Sequence, residues 1–292
     1  MMRAPRFRYH RARNVKDAAA ALAGEADAML LAGGTDLVPN MKRRQQTPGV
    51  VIGIRHLGAL RRITKGDGVA LGSCLTLTEI AESRKLKAQY TALAKAAGSV
   101  ATVHLRNMGT LGGNLCLDTR CNYYNQNHEW RQAISFCMKA PAGTNGRACA
   151  SPDGTSLCWV ATSSPRCWAV SSTDTAPALI ALGAEVSLLS SDGERRIPLE
   201  KLYHNDGMAY LTKARHELLT QVHLPASGKR EAGSGELRST YWKLRRRGSF
   251  DFPVLGVAAA IRFAGEVVAS ARVVLGAVAS YPLLLEESAG LV

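Results

Sequence analysis

Ala28-Met-Leu-Leu-Ala-Gly-Gly-Thr-Asp36 and, further on, Arg106-Asn-Met-Gly-Thr-Leu-Gly-Gly-Asn114 decide how this chain folds. In the first stretch an apolar run of strand length, Ala28-Met-Leu-Leu31, gives way to the turn Ala32-Gly-Gly-Thr-Asp36, and residues 37–44 can continue as helix. A strand, a glycine turn and a helix in that order are what an anion site needs. Glycine tolerates the positive φ that turns successive N–H groups inward, and the helix start adds partial positive charge. Taken alone, two adjacent glycines usually mark only a turn. The stretch also lacks both the G-x-G-x-x-G spacing and the Lys-Ser/Thr of a P-loop. The second stretch repeats the diglycine after apolar sequence. Together the two predict one extended cofactor gripped by backbone amides from two subdomains.

Outward from these turns the pattern is mixed α and β. Asn14 can cap a helix over residues 15–22, with Gly24 at its C-terminal end. Residues 49–54, 69–71 and 75–77 read as strand pieces, and residues 77–83 and 91–100 as helices. Thr175-Ala-Pro-Ala-Leu-Ile-Ala-Leu182 is a helix with proline in its first turn, and residues 184–189 are a strand. Residues 217–224 and 241–246 look extended. Residues 254–263 and 267–278 are strongly β-like, on either side of a turn at Ala264-Gly265. The chain ends without a clear closing element, so the last portion is expected to be incomplete.

The chain has 292 residues, 46% of them hydrophobic and 21% charged, enough for a core and two or three units. No apolar run reaches the roughly 20 residues of a spanning helix, and the basic N-terminus lacks the apolar stretch of an export signal. A cytoplasmic protein is expected. The net charge of +14 is concentrated at Lys42-Arg43-Arg44, Arg61-Arg62 and Arg245-Arg246-Arg247. It reads either as solvated faces or as attraction to anionic partners. Nucleic acid is disfavoured, because aromatic residues make up only 6% and no recognition motif accompanies the charge.

Six of the seven cysteines fall between Cys116 and Cys167, with Cys74 alone outside. In a reducing compartment such clustering points to metal rather than disulfides. Soft thiolates select iron–sulfur or zinc, and the loose spacing leaves those two evenly matched. Cys116 and Cys74 read as small packed hydrophobes. No Ser-His-Asp or paired-carboxylate constellation is visible, so no catalytic residue of the chain's own is expected.

Leu31-Ala-Gly-Gly-Thr-Asp-Leu37, then Arg106-Asn-Met-Gly-Thr-Leu-Gly-Gly-Asn114, then Asp174-Thr-Ala-Pro-Ala-Leu179 resembles the FAD-binding subunits of the molybdenum hydroxylases, the family of xanthine and carbon monoxide dehydrogenases. The resemblance implies an α+β protein of two α/β FAD-binding subdomains, residues 1–55 and 56–205, followed by an α+β C-terminal domain, residues 206–292. FAD would lie between them. Its site would be formed by Ala32, Gly33, Gly34, Thr35 and Asp36 with Thr110, Gly112, Gly113 and Asn114. Asp174 would either accept hydrogen bonds from flavin-site hydroxyls or cap the following helix. Lys243 would either approach the flavin or be a surface lysine on a strand.

Most members of that family lack the cysteine segment at about residues 117–168. Arg120-Cys-Asn-Tyr-Tyr-Asn-Gln-Asn127, Ser135-Phe-Cys-Met-Lys139, Leu157-Cys-Trp159 and Ser163-Ser-Pro-Arg-Cys167 resemble the β subunits of 4-hydroxybenzoyl-CoA reductases. There this insertion carries a 4Fe–4S cluster, which implies Cys121, Cys137, Cys158 and Cys167 as ligands. Residues 140–156 look like a further extension, and its Cys149 is a rival to Cys158. The resemblance also implies a heterohexamer with a molybdopterin catalytic subunit and a 2Fe–2S subunit. Electrons from ferredoxin would pass towards molybdenum for reductive dehydroxylation to benzoyl-CoA. Two alternatives stand beside it. One is an FAD subunit of a xanthine or CO dehydrogenase-like enzyme without the cluster; the other is a basic, zinc-stabilised binding module.

Overall fold

A computed structural model describes residues 3–66, 68–140, 157–226 and 236–285. The chain opens with β1 (Arg8–Arg11), α1 (Val15–Gly24), β2 (Ala28–Leu31), α2 (Leu37–Lys42) and β3 (Val50–Gly53). The three strands form a parallel sheet of order β1-β3-β2, with β3 buried along its whole length. Asn14 caps α1 by accepting the Asp17 amide at 2.9 Å, an interaction worth about 1 kcal/mol. Ala18 and Leu22 of that helix pack on Val50 and Ile52. Strand β1 escapes the sequence pattern because Arg8-Tyr-His-Arg11 is polar and largely exposed.

Next come β4 (Ile63–Lys65) and β5 (Gly68–Gly72). Helices α3 (Leu77–Glu82), α4 (Arg84–Gln89), α5 (Thr91–Ser99), α6 (Val103–Met108), α7 (Leu111–Leu115), α8 (His128–Ala133) and α9 (Thr175–Ala181) follow, then strands β6 (Glu185–Ser190), β7 (Gly193–Pro198) and β8 (Leu218–Pro225). These strands form an antiparallel sheet of order β4-β5-β8-β6-β7. Its central member, β8, lies beyond the boundary expected at residues 205 and 206. The ladder therefore carries the middle unit through residue 225. Strand β7 is an edge strand of sequence Gly-Glu-Arg-Arg-Ile-Pro, whose charges suit an exposed sheet margin and hide it from an apolar-run reading.

The last sheet, order β12-β11-β10-β9, is an antiparallel array of β9 (Leu237–Leu244), β10 (Leu255–Ala264), β11 (Val267–Gly276) and β12 (Leu283–Leu284). Helix α9 is buried at all seven residues and packs against α5, β10 and β11. A helix apolar all round belongs in a core, and α9 joins the central unit to the last sheet.

Two local expectations are corrected. Residues 75–77 do not form a strand. Thr76 instead closes a capping box with Glu79 that starts α3, and its backbone makes only an isolated bridge to Thr110. The second glycine stretch is not an open loop either, because Thr110 caps the short helix α7 by accepting the Gly113 amide at 3.2 Å. Among the described residues no helix is long and apolar enough to cross a membrane.

Candidate cofactor site and cysteine cluster

The two glycine stretches meet. A Cβ on Gly33 would stand 2.0 Å from the Met108 carbonyl oxygen, so only glycine lets the first turn abut the end of α6. Gly34 takes φ +73°, the left-handed region that glycine enters without strain. The amides of Gly33, Gly34 and Thr35 have no acceptor among the described residues. On the other side the amides are already engaged: Leu111 N donates to Leu75 O (2.9 Å), Gly112 N to Ser73 O (2.8 Å) and Asn114 N to Thr110 O (2.9 Å). Among the described residues the second stretch leaves only the Thr110 amide without an acceptor, so most of the free donors lie on the first turn. The second stretch supplies a wall.

That wall and the first turn bound a cavity of about 1090 Å³, at the upper end of small-molecule sites. Ala32, Gly33, Gly34, Thr35, Asp36, Thr110, Gly112, Gly113, Asn114 and Asp174 all line it, and Arg246, Arg247 and residues 250–254 close it from the last unit. Glycine walls, unpaired amides and this volume suit an extended dinucleotide such as FAD.

Several of these residues have structural engagements as well. The Asn114 side-chain oxygen accepts from Thr173 Oγ1 (2.8 Å), Thr175 N (3.1 Å) and Thr175 Oγ1 (2.6 Å), fastening α7 to the start of α9. Asp36 pairs with the buried Arg120, whose guanidinium also stacks over Phe252 at 5.5 Å. Asp174 neither caps α9 nor stands free. Its two oxygens accept from Tyr241 Oη (2.7 Å) and Lys243 Nζ (2.9 Å). Lys243 is accordingly a buried ion-pair partner one step behind the cavity wall, neither a cavity-lining residue nor an exposed lysine.

The cysteine segment packs on the same wall. Cys121 follows Arg120, whose backbone bridges to Val170, and Cys121 itself lines the cavity. Cys158 and Cys167 are buried together with Met138 and Ala169, and Cys121 packs against them. Met138 N donates to Leu157 O at 2.9 Å, so the strands of chain carrying Cys137 and Cys158 run side by side. Cys121 also faces Cys137 electrostatically. Cys121, Cys158 and Cys167 are thus brought into one packed group, and Cys137 lies on the chain alongside Cys158.

Two backbone amides point at sulfur atoms of this group. Tyr124 N donates to Cys121 Sγ at 3.3 Å and Ala169 N to Cys167 Sγ at 3.5 Å. Burial pushes the free Cys121 thiol up and that of Cys167 up to about 11, so metal binding would have to displace protons. Gly207 is required by this packing, because a Cβ there would lie 2.8 Å from Cys167 Sγ. Among the described residues no three His, Cys, Asp or Glu side chains gather tightly enough to hold a single metal ion. Cubane ligands bind separate iron corners and need not converge on one point, whereas the ligands of a zinc ion must. Cys149 lies outside the described residues. Cys74 is a buried thiol in the first unit's core, and Cys116 packs against the central core while also lining the cavity.

A family model described as "FAD binding domain in molybdopterin dehydrogenase" matches residues 5–227. The aldehyde oxidoreductase FAD-binding subunit PaoB of Escherichia coli (strain K12) is 31% identical over 295 residues, covering 97% of this chain and 84% of that protein. The carbon monoxide dehydrogenase medium chain of Hydrogenophaga pseudoflava is 35% identical over 156 residues, 51% of this chain and 52% of that one. In three dimensions the fold matches carbon monoxide dehydrogenase from Hydrogenophaga pseudoflava with TM-score 0.71 at 26% identity, over 98% of this chain and 79% of that chain. It matches reconstituted CO dehydrogenase from Oligotropha carboxidovorans with TM-score 0.73 at 25% identity, over 99% and 81%. The glycine turns, the cavity between them and these matches agree: the chain belongs to the FAD-binding subunits of the molybdenum hydroxylase family of oxidoreductases.

Proposed function

We propose that this chain is the electron-transfer subunit of a molybdenum-dependent enzyme, holding FAD in the large cavity and a 4Fe–4S cluster on Cys121, Cys137, Cys158 and Cys167. The observation that carries the cluster is the packing of Cys121, Cys158 and Cys167 together, with Cys137 on the chain beside Cys158 and Cys121 also in the cavity wall. Bound FAD would supply redox chemistry that accepts electrons singly or in pairs. The chain's own task is to hold and orient. Gly33, Gly34 and Thr35 offer amides to the diphosphate, and Asp36 and Asp174 shape the wall while the last unit closes the cavity against water.

In this reading the chain works with a molybdopterin catalytic subunit and a 2Fe–2S subunit in a cytoplasmic heterohexamer, with ferredoxin as donor. The reaction is reductive dehydroxylation of 4-hydroxybenzoyl-CoA. A second reading, an FAD subunit of an aldehyde-, xanthine- or CO-oxidising enzyme, is favoured by the names of the relatives. Anaerobic purification of the complex separates the two. Four irons with acid-labile sulfide on this chain, beside one flavin, supports the cluster; flavin without iron removes it. Benzoyl-CoA formation with reduced ferredoxin, against aldehyde or purine oxidation, decides the substrate class.

A further inference from the structure

Arg131 is the largest fully buried side chain among the described residues, 2% exposed. It lies on α8 inside the cysteine segment, and one guanidinium nitrogen donates to the Arg43 carbonyl at 2.6 Å. Its Nε has no partner, and it takes part in none of the ion pairs among the described residues. The ionisable groups facing it are Tyr124, Cys137 and the exposed Glu129. A buried cation without a counter-charge is costly, and folds retain one where something compensates it.

A second buried cation stands near Cys121 and Cys167. Lys139 is 6% exposed and reaches Asp118 at 2.8 Å and the Gly207 carbonyl at 2.6 Å, with Tyr124 and Tyr210 rings at 4.9 and 5.1 Å. Gly207 touches Cys167 Sγ, and Tyr124 donates its amide to Cys121 Sγ, so the ammonium sits between both contacts. Asp118 lines the flavin cavity and Lys139 does not. The pair is therefore oriented, positive towards the cysteines and negative towards the flavin.

We propose that Arg131 is the charge-compensating residue of the cysteine site and raises the reduction potential of the cluster bound there, with the oriented Lys139–Asp118 pair adding a smaller field. This rests on the cluster reading above. A four-thiolate iron–sulfur cluster carries net negative charge, and that charge becomes more negative on reduction. A fixed cation nearby favours the reduced form, and low internal dielectric makes the effect felt. Arg131 is a positioning residue for charge and ligates nothing.

The test is an EPR-monitored redox titration of the purified complex, with iron counted for each variant. Arg131→Gln is expected to keep its iron and to titrate at a more negative potential than the wild type. Arg131→Lys, which keeps the charge, should stay near the wild type, and Asp118→Asn should move the other way. An unmoved midpoint in Arg131→Gln with full iron overturns the inference. So does an Arg131→Lys shift as large as that of Arg131→Gln, or loss of iron from both, which would make the role one of packing. In each of these cases the wild-type cluster still stands. A wild-type complex whose iron is fully accounted for by the 2Fe–2S subunit overturns the cluster reading itself, and this inference with it.

Discussion

Lys243 Nζ lies 2.9 Å from an Asp174 carboxylate oxygen, and each side chain is only 3% exposed. Tyr241 and Lys243 alternate along β9, so both point to the same face and grip the residue just before α9. The contact fastens the last sheet to the core helix beside the cofactor cavity.

Lys243→Met should therefore cost about 3–5 kcal/mol, because it strands a buried carboxylate. The double variant Asp174→Asn with Lys243→Met should recover much of that loss. Urea unfolding of the three proteins measures both numbers. A double variant no better than the single one would mean that the pair is not the unit that matters.

Gly33→Ala should empty the cavity of flavin. The new Cβ would meet the Met108 backbone oxygen at 2.0 Å, and backbone cannot step aside. Gly113→Ala faces only Thr110 Oγ1 at 3.0 Å and should retain most of its flavin. The ratio of flavin to protein absorbance reads the contrast.

On the proposed cluster, Cys121→Ser and Cys167→Ser should each lose most of this chain's iron, since serine is a poor replacement for a soft thiolate. Cys116→Ser should keep it, because Cys116 packs against the central core rather than the thiol cluster. Iron and sulfide assays on the three variants give the answer directly.

Alkaline pH should weaken the fold through Cys74. Burial pushes its thiol from 9.0 up to about 11. Below about pH 9 the folded and unfolded chains both keep the proton, and the thiol leaves stability unchanged. Between about pH 9 and 11 the unfolded chain sheds it first, so stability falls by up to about 1.4 kcal/mol per pH unit. Cys74→Ala should flatten this slope in denaturation curves recorded across that range.

The glycine turns were legible because backbone geometry dictates the residue: Gly33 and Gly34 have no substitutes where they stand. Helices α1 and α9 were legible from Asn14 and from the proline-bearing apolar run. The engagement of the second stretch was not. Whether an amide at Gly112 is free depends on Ser73, a partner 39 positions away that no local pattern announces. The same holds for Lys243, whose role is set by burial against Asp174. Arg131 gave no signal at all, because in sequence an arginine in a polar helix reads as surface. Its burial comes from the fold around the thiols.

In the central sheet β5 and β6 do not touch each other; each pairs with β8 between them. A chain emerging from the ribosome therefore holds two unclosed half-sheets until residue 225 is out, well after the cysteine segment has been made. Loading of flavin onto this subunit is accordingly a late event. Any cofactor delivered earlier would meet a cavity whose floor is not yet built.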